Sequence, residues 1–543
     1  MCRAWHPGRS AQRGRDGYLG VRLQGASRPW DLYVDCQENL LKLPHLTLGP
    51  PRGLLAHVSH GGTVCVNDGQ GLSLDPDRRE DIVAYTVLAG YDLLEKSAED
   101  AVTCMTEFFN ELEGYWLGLP GSRRSRAALE IDGNSRLVSS YANMRLSPPK
   151  WYFTERHAVP PREFRVENAA THRALYLHLD DFPMPPAHPD KLGTSFIEGV
   201  HARLSPPQLK LWSELLSASR KGEKRLALLT SFPRSAGGLS LVGVVFGASR
   251  GVIAPDVEVV PLTVRRHTPI YMRERGGASL ELMNKHVAVL GCGAVGSVVA
   301  DTLAAAGVGK LTLVDYDEYS EDNVFRHILE PMYIDFPKVL ALQFELERKY
   351  PGLQVTPVHA AAQTWLKGVD VAKLDGIVLA FGAPSIERSF ARYFRGTSSM
   401  PVVFTWLEAL DLGGHSVLTF GNQEGCLDCL YRDDEGHPVL YPRTSFLEPD
   451  QHITRNLTGC TSIFVPFGAL QARRTGLLAA EHMLQALSGD TKTSYRFWVG
   501  EGEFAAKEGL RMTHWWSEAK RTQHAEATLR AFGRPCKRCR GGK

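Results

Sequence analysis

The segment HVAVLGCGAVGSVVADTLAAAGVGKLTLVDYD, residues 286–317, determines the fold that we expect for the carboxy-terminal half of the chain. Its apolar start predicts a strand, its glycine-rich turn leads into small residues at helical spacing, and a second apolar run predicts the next strand. The alternation continues through GIVLAFG (376–382) and PVVFTWL (401–407). Strands that alternate with helices form parallel sheets, so we predict an α/β fold with a Rossmann-like, doubly wound sheet.

Three glycines in this segment, Gly291, Gly293 and Gly296, have the G-x-G-x-x-G spacing of a nucleotide-binding turn. Glycine permits the tight turn and lets phosphate oxygens approach the amino terminus of the following helix. Asp315 ends the next predicted strand, where a carboxylate can bond a ribose hydroxyl. These residues indicate a nucleotide site, and they fit an NAD-dependent oxidoreductase as well as an enzyme that uses ATP.

The polar residues that follow favour ATP. The stretch DYDEYSEDNVFRH (315–327) supplies Asp317, Asn323 and Arg326, and Lys338 follows shortly after it. Backbone amides largely serve the pyrophosphate of a dinucleotide, whereas a triphosphate carries more charge and favours Arg and Lys. Each residue alone fits a solvated loop, but together and in this order they favour an ATP site.

With these motifs the chain resembles the ThiF/MoeB and ubiquitin-activating enzyme superfamily across about residues 270–543. The resemblance implies that the enzyme uses ATP and Mg²⁺ to adenylate the C-terminal glycine of a ubiquitin-like protein. It places Asp315 on the ribose, and it places Asn323, Arg326 and Lys338 on the phosphates.

The resemblance also implies a homodimer through the adenylation domain. In such dimers an arginine upstream of the first strand reaches the ATP of the partner subunit, and Arg275 or Arg273 stands at that place. One position departs from the family pattern, because Gly382 replaces an aspartate that helps to hold magnesium. We expect Asp317 or another carboxylate to compensate, and a scaffold with an inactive site is the alternative.

Two C-x-x-C pairs predict a metal site. CLDC supplies Cys426 and Cys429, and CKRC supplies Cys536 and Cys539. Four thiolates are the number that closes a tetrahedral Zn²⁺ site, which leaves no position for water and makes the zinc structural. A redox role for one pair is the weaker alternative, because neither pair lies at the strand-to-helix turn that such a motif needs. Members of the family that carry a zinc in this arrangement agree with this interpretation.

Cys460 lies between the two pairs, after a glycine and before an apolar segment that leads into a long predicted helix. A thiol near the start of a helix has its thiolate favoured by the helix dipole. On its own, such a cysteine is more typical of a packed core. In the family, a cysteine in the crossover loop after the C-x-x-C accepts the activated glycine as a thioester, so we interpret Cys460 as a nucleophile.

The amino-terminal segment GGTVCVND (61–68) contains Cys65 and precedes a loop and a long amphipathic helix. This order resembles the active-site segment of ubiquitin-conjugating enzymes, in which a cysteine carries the thioester. Their His-Pro-Asn motif is absent, and His57 lies eight residues before Cys65, close to where the Asn would be. His57 is expected to polarise the thioester carbonyl or activate the attacking amine, and a purely structural histidine is the equal alternative.

Three domains follow from these observations. They are an α+β ubiquitin-conjugating-like domain (1–112), an α+β connecting domain (113–265) and the adenylation domain with its zinc site (266–543). This order resembles bacterial fusion proteins of CBASS antiviral defence. That resemblance implies, as partners, the carboxyl terminus of a cGAS-like nucleotidyltransferase and a lysine of a target protein. The alternative is a ThiF/MoeB-type enzyme that only adenylates a sulfur carrier and has no conjugating activity.

The composition excludes several other classes. Hydrophobic residues make up 43% and charged residues 22% of the 543 residues, and the formal net charge is +2. These values are those of an ordinary globular protein, and they predict no direct binding of nucleic acid. No apolar run is long enough to span a membrane, and the amino terminus lacks the apolar run of a secretory signal. We therefore expect a cytoplasmic location and no membrane partner.

Overall fold

The chain forms two compact units, Met1–Thr268 and Pro269–Lys543, in a computed structural model. The structure describes residues 11–13, 18–36, 40–50, 53–67, 71–143, 145–147, 150–164, 170–220, 225–395, 399–433, 435–457, 463–489 and 492–521. Within these ranges no helix combines the length and apolar character needed to cross a bilayer. The division into three domains at residues 112 and 265 stays a prediction.

The first unit contains a small sheet, a barrel and five helices. Its strands are β1 (Ala11–Arg13), β2 (Tyr18–Gln24), β3 (Pro29–Asp35), β4 (Leu46–Leu48), β5 (Thr63–Val64), β6 (Arg123–Ala128), β7 (Arg136–Asn143), β8 (Lys150–Thr154), β9 (Ala170–His178), β10 (Arg225–Pro233), β11 (Leu239–Gly247) and β12 (Val259–Arg266). Its helices are α1 (Arg79–Glu99), α2 (Ala101–Asn110), α3 (Leu112–Leu117), α4 (Thr194–His201) and α5 (Pro206–Arg220).

Strands β1 to β5 form an antiparallel meander in chain order. Alternate residues of β3 point into the core, because side chains of a strand alternate between the two faces. Helix α1, the amphipathic helix predicted after Cys65, covers this face through Val87 and Leu94. Gly90 allows a close approach, since a Cβ there would lie 2.1 Å from a methyl carbon of Leu46.

The seven strands β6 to β12 close into a barrel in the order β10-β11-β12-β6-β8-β7-β9. Its interior is filled by aromatic and aliphatic side chains such as Trp151, Phe153 and Tyr176. Residues of α2 to α5 share a second apolar cluster with the outward-facing side chains of the barrel. Trp116 of α3 is fully buried in that cluster, and its indole N–H donates to the carbonyl of Gly243 in β11 at 3.1 Å.

The second unit contains the predicted α/β sheet. Its helices are α6 (Pro269–Gly276), α7 (Ala294–Ala306), α8 (Lys338–Lys349), α9 (Ala362–Gly368), α10 (Pro384–Phe394), α11 (Ala469–Leu487) and α12 (Glu503–Lys507). Its strands are β13 (His286–Leu290), β14 (Lys310–Asp315), β15 (Gln354–His359), β16 (Gly376–Leu379), β17 (Pro401–Leu407), β18 (Gly413–Phe420), β19 (Arg455–Asn456), β20 (Ile463–Phe464) and β21 (Ser494–Val499).

Seven strands form one sheet in the order β15-β14-β13-β16-β17-β18-β21. The five strands β13 to β17 run parallel to one another. Strand β18 is antiparallel to β17, and β21 is antiparallel to β18. Val287 and Val289 pack with α7, α8 and α11, whereas Ala288 and Leu290 pack with α10. Both faces of the sheet are therefore covered, which confirms the α/β class predicted for this half of the chain.

We predict that Trp116→Ala lowers the free energy of unfolding by about 3–5 kcal/mol, because it opens a cavity between α3 and the barrel. Leu117→Ala on the same helix is the matched control, since the Leu117 side chain is about half exposed. Urea denaturation of the full chain, with hydrogen exchange to locate the change, measures both. Equal effects of the two variants would contradict the packing described here.

Candidate functional site

The glycine turn lies at the carboxyl end of β13. Gly291 has a φ of +88°, and a Cβ on it would lie 2.8 Å from the carbonyl oxygen of Ala380. A Cβ on Gly296 would lie 1.7 Å from the carbonyl oxygen of Gly291, so close packing of helix and turn requires glycine. A Cβ on Gly293 would meet nothing within 4 Å. The second glycine thus faces open space at the amino terminus of α7, where an anion can approach the backbone amides.

Asp315, at the end of β14, holds the turn from one side. Its Oδ2 accepts the backbone N–H of Cys292 at 2.6 Å, and its Oδ1 accepts the N–H of Asp317 at 2.9 Å. A carboxylate has about four lone-pair positions, so two backbone donors leave room for a further donor. The geometry is therefore compatible with the predicted contact to a ribose hydroxyl.

His327 holds the turn from the other side, and sequence reasoning missed it. Its Nε2 lies 2.8 Å from the carbonyl oxygen of Cys292, and its Nδ1 accepts the N–H of Leu329 at 3.1 Å. This pattern requires a proton on Nε2 alone, and burial lowers the pKa of His327 to about 4. The neutral ring fixes the Cys292–Gly293 peptide, and a trans peptide then turns the N–H of Gly293 away from His327.

Lys338 and Asp317, both predicted for the ATP site, form an ion pair. The Lys338 Nζ lies 3.0 Å from Oδ2 of Asp317, with the lysine side chain 7% exposed and the aspartate 49% exposed. Asn323 closes the intervening turn, where its Oδ1 accepts the backbone N–H of Ser320 at 3.3 Å. The structure thus connects the acidic stretch after β14 to the first residue of α8.

Arg326 carries a buried donor that lacks a partner in the described part of the chain. Its Nε is inaccessible to solvent and makes no hydrogen bond there. Its guanidinium lies 4.7 Å from the centroid of the Phe467 ring, and burial lowers its pKa. An unpaired buried cationic donor is costly unless a ligand satisfies it, and phosphate is the anion that guanidinium groups bind best.

Gly382, at the position where the family has an aspartate, belongs to a turn with a φ of +62°. Its N–H donates to Oε1 of Glu387 at 3.0 Å. Glu387 lies in the first turn of α10, is 2% exposed, and has its pKa raised to about 7 by burial. Glu387 thus holds the turn at Gly382 through backbone hydrogen bonds, a contact that local sequence does not reveal.

The two arginines upstream of β13 differ in environment. Arg273 is buried, and its Nη1 donates to the carbonyl of Gly307 at 2.5 Å. Burial lowers the pKa of this guanidinium. Arg275, near the end of the same short helix α6, is exposed. Of the two, Arg275 is therefore the one with a side chain available to a second molecule.

The first C-x-x-C pair has the geometry of two ligands of one ion. The Sγ atoms of Cys426 and Cys429 lie 3.8 Å apart. Two thiolates that bind a tetrahedral Zn²⁺ at about 2.3 Å are about 3.8 Å apart, so the pair fits. Arg388 and Asp428 hold the turn to α10 through a 2.6 Å contact. Three further predicted residues, Cys460, Cys536 and Cys539, lie outside the described residues.

The first unit brings its two predicted catalytic residues together. Cys65 follows β5 directly and is exposed, and its backbone N–H donates to the carbonyl of His57 at 2.7 Å. Two glutamates that were not predicted contact the His57 ring: Glu111 at 2.8 Å from Nδ1 and Glu107 at 3.6 Å from Nε2. The hydrogen bond that the His57 ring donates to Glu111 raises the pKa of His57, and the charge of Glu107 adds to this effect.

A glycine turn at the carboxyl edge of a parallel sheet is typical of a nucleotide-binding α/β domain, and the same unit holds the Arg326 Nε, which is buried and has no hydrogen-bond partner among the described residues. Residues 270–521 match the ThiF family, so the chain contains a ThiF family domain.

Two curated relatives and one solved structure illustrate the similarity. An "ATP-dependent ubiquitin transferase-like protein Cap2" from Pseudomonas aeruginosa is 27% identical over 241 residues, which cover 43% of this chain and 42% of that protein. A "Molybdopterin-synthase adenylyltransferase" from Escherichia coli is 28% identical and covers 28% of this chain and 60% of its own. The crystal structure of E. coli MccB with MccA-N7isoASN has a TM-score of 0.30 and 15% identity, and it covers 40% of this chain and 65% of MccB.

The match thus spans less than half the length of the Cap2 relative and 60% of the adenylyltransferase. The family match covers residues 270–521, which lie in the second unit. The conjugating-like character of the first unit therefore depends on its own residues.

We predict that His327→Phe weakens ATP binding about tenfold or more, because the Cys292 carbonyl loses its donor, a loss of about 1–3 kcal/mol. His327→Gln is the matched variant, since its side-chain amide can donate to the same carbonyl, and it should retain most of the affinity. Calorimetric titration with ATP measures both. Equal ATP affinity of the Phe variant and the unmodified chain would show that His327 does not position the turn.

Proposed function

We propose that the chain activates the carboxyl terminus of a partner protein as an adenylate and transfers the acyl group through thioesters to an amine. The observation that carries the proposal is the buried, unpartnered Nε of Arg326 in the unit that contains the glycine turn. The ThiF family domain and the relative named as ubiquitin transferase-like support the same class of chemistry.

In the activation step, a carboxylate oxygen of the partner attacks the α-phosphorus of ATP, and pyrophosphate leaves. The amide of Gly293 and the amino terminus of α7 bind phosphate oxygens, while Lys338 and Arg326 balance their charge. Asp315 binds the ribose. Mg²⁺, when bound, would neutralise charge on the phosphates, and the half-exposed Asp317 is the residue that we propose for it.

In the transfer steps, thiolates take the acyl group from the adenylate. We propose that Cys460 forms the first thioester and that Cys65 receives the acyl group by exchange, which releases the Cys460 thiolate. A thiolate is a strong nucleophile and a good leaving group, so two thioester steps divide one difficult acyl transfer. A lysine amine of a target protein then attacks the Cys65 thioester, and His57 assists this attack.

The proposal also includes a zinc ion, the protein whose carboxyl terminus is activated, and a location. We place a structural Zn²⁺ on Cys426, Cys429, Cys536 and Cys539. The resemblance to CBASS fusion proteins favours the C-terminus of a cGAS-like nucleotidyltransferase as the activated group, with a ubiquitin-like protein as the other candidate. With such a partner, the protein would act in antiviral defence in the cytoplasm.

A second copy of the chain is the proposed partner for an apolar face of the second unit. Met332, Phe336, Leu340 and Phe344 expose 68%, 55%, 46% and 57% of their surface along the start of α8 and the turn before it. Contiguous exposed apolar side chains of this size mark an interface. Such a dimer would also give the exposed Arg275 an ATP to contact in the partner subunit.

A second candidate function is adenylation of a sulfur carrier without conjugation. The similarity to a molybdopterin-synthase adenylyltransferase favours it, because that similarity covers 28% of this chain and 60% of that protein. In this alternative Cys65 has no catalytic role. The two functions differ in one observable, the dependence of product formation on Cys65.

The experiment incubates the chain with ATP, Mg²⁺ and the nucleotidyltransferase or ubiquitin-like protein encoded beside its gene. We expect an adduct on Cys65 that dithiothreitol removes, and a resistant oxyester in Cys65→Ser, because an ester does not exchange with thiols. Cys460→Ala should abolish loading of Cys65. Intact-mass spectrometry and non-reducing gels measure the adducts.

Cys104→Ser is the matched control for these variants, because the Cys104 thiol is buried and accepts the backbone N–H of Ala56. It should load like the unmodified chain. Loading of Cys65 in the Cys460→Ala variant would disprove the relay, and full activity of Cys65→Ala would favour the sulfur-carrier alternative.

A further inference from the structure

One carboxylate, that of Glu111, binds His57 at two places. Its Oε2 accepts the backbone N–H of His57 at 3.2 Å, and its Oε1 lies 2.8 Å from Nδ1 of the ring. A carboxylate only accepts hydrogen bonds, so Nδ1 carries the proton in this arrangement. The neutral ring therefore has its free lone pair on Nε2. A buried or half-buried carboxylate sets the tautomer of a catalytic histidine in the same way in serine hydrolases.

The second glutamate, Glu107, faces that lone pair without a hydrogen bond. Its Oε2 lies 3.6 Å from Nε2 of His57, which is beyond hydrogen-bond distance. Glu107 and Glu111 are four residues apart, a spacing at which like charges on a helix repel each other. A proton on Nε2 places an imidazolium between them and relieves this repulsion. The two glutamates thus favour a His57 ring that gains a proton at Nε2.

A backbone hydrogen bond connects His57 to Cys65. His57 has a φ of +59°, a left-handed conformation that is unfavourable for a residue with a side chain. The bond from the Cys65 N–H to the His57 carbonyl at 2.7 Å and the contacts to Glu111 offset this cost. The backbone of Cys65 and the carboxylate of Glu111 thus hold His57 in a strained conformation. Residues held in such conformations are typical of functional sites.

We propose that Glu111 is a positioning residue for amide formation at Cys65. It holds His57 in the tautomer whose Nε2 accepts a proton from the attacking amine. Glu107 stabilises the imidazolium that results. This inference rests on the proposed transfer from Cys65. In the step, a C–N bond forms between the amine and the acyl carbon, and the C–S bond to Cys65 breaks. One proton of the amine moves to Nε2 of His57, and Cys65 leaves as the thiolate.

The test bypasses ATP, so that it does not depend on the second unit. The full chain is acylated at Cys65 by exchange with a mercaptoethanesulfonate thioester of a short glycine-ended peptide, and Cys65→Ala gives the background from other thiols. Lysine with blocked α-groups is then added, and intact-mass spectrometry follows amide formation between pH 5 and pH 9. We expect Glu111→Gln to slow amide formation about tenfold or more at pH 7 while acylation of Cys65 stays within twofold.

The pH profile separates positioning from a loss of structure. The hydrogen bond and charge of Glu111 raise the pKa of His57, so Glu111→Gln should move the midpoint of the profile to lower pH as well as lower its plateau. Glu107→Gln should move the midpoint in the same direction with a smaller loss of rate. Glu99→Gln, an exposed glutamate at the end of α1, is the matched control and should change neither.

Two contrary results have different meanings. If Glu111→Gln keeps the rate and midpoint of the unmodified chain, the positioning role is wrong and the thioester function stands. If the acylated, unmodified chain transfers its peptide no faster than the small thioester reagent does, the proposed function of Cys65 is wrong and the role of Glu111 fails with it.

Discussion

The backbone of Cys292 is held on both sides, and the nucleotide site depends on this constraint. Asp315 accepts its N–H and His327 donates to its carbonyl, so the two peptide planes of the turn have fixed orientations. The glycines on either side remove the side chains that would prevent this close packing, with a clearance at Gly296 too small for any Cβ. The amino terminus of α7 can therefore present its amides to an anion without rearrangement, which is the condition for electrostatic preorganisation.

Two histidines show how environment assigns opposite roles to one residue type. His327 is buried between backbone groups, and burial lowers its pKa to about 4, so it remains neutral and acts as a fixed donor. His57 lies beside two carboxylates, and the hydrogen bond that its ring donates to Glu111 raises its pKa. Desolvation favours the neutral form, whereas nearby negative charge favours the cation. The first histidine is suited to hold a turn, and the second is suited to take up a proton.

The parts of the fold that sequence predicts are those determined by local pattern. The strand–turn–helix at residues 286–306 and the following strand depend on apolar periodicity and glycine spacing over short distances. The barrel was not predicted, because its closure pairs distant segments such as β6 with β12, and short strands of that kind give no periodic signal over the intervening chain. The same limit applies to the site, where predicted residues such as Lys338 and Asp317 come together but the residues that orient them were missed. His327, Glu387 and Glu111 act through contacts that only the folded chain creates.

The nucleotide site depends most on one residue, because the buried Nε of Arg326 has no hydrogen-bond partner among the described residues and would favour a triphosphate over a dinucleotide. Competitive binding of ATP and NAD⁺ to the full chain, with Arg326→Ala as the variant, tests it most directly. The account predicts that ATP binds, that NAD⁺ does not displace it, and that Arg326→Ala reduces the affinity for ATP by about tenfold or more. Tight binding of NAD⁺ with no measurable affinity for ATP, or an ATP affinity independent of Arg326, would contradict it.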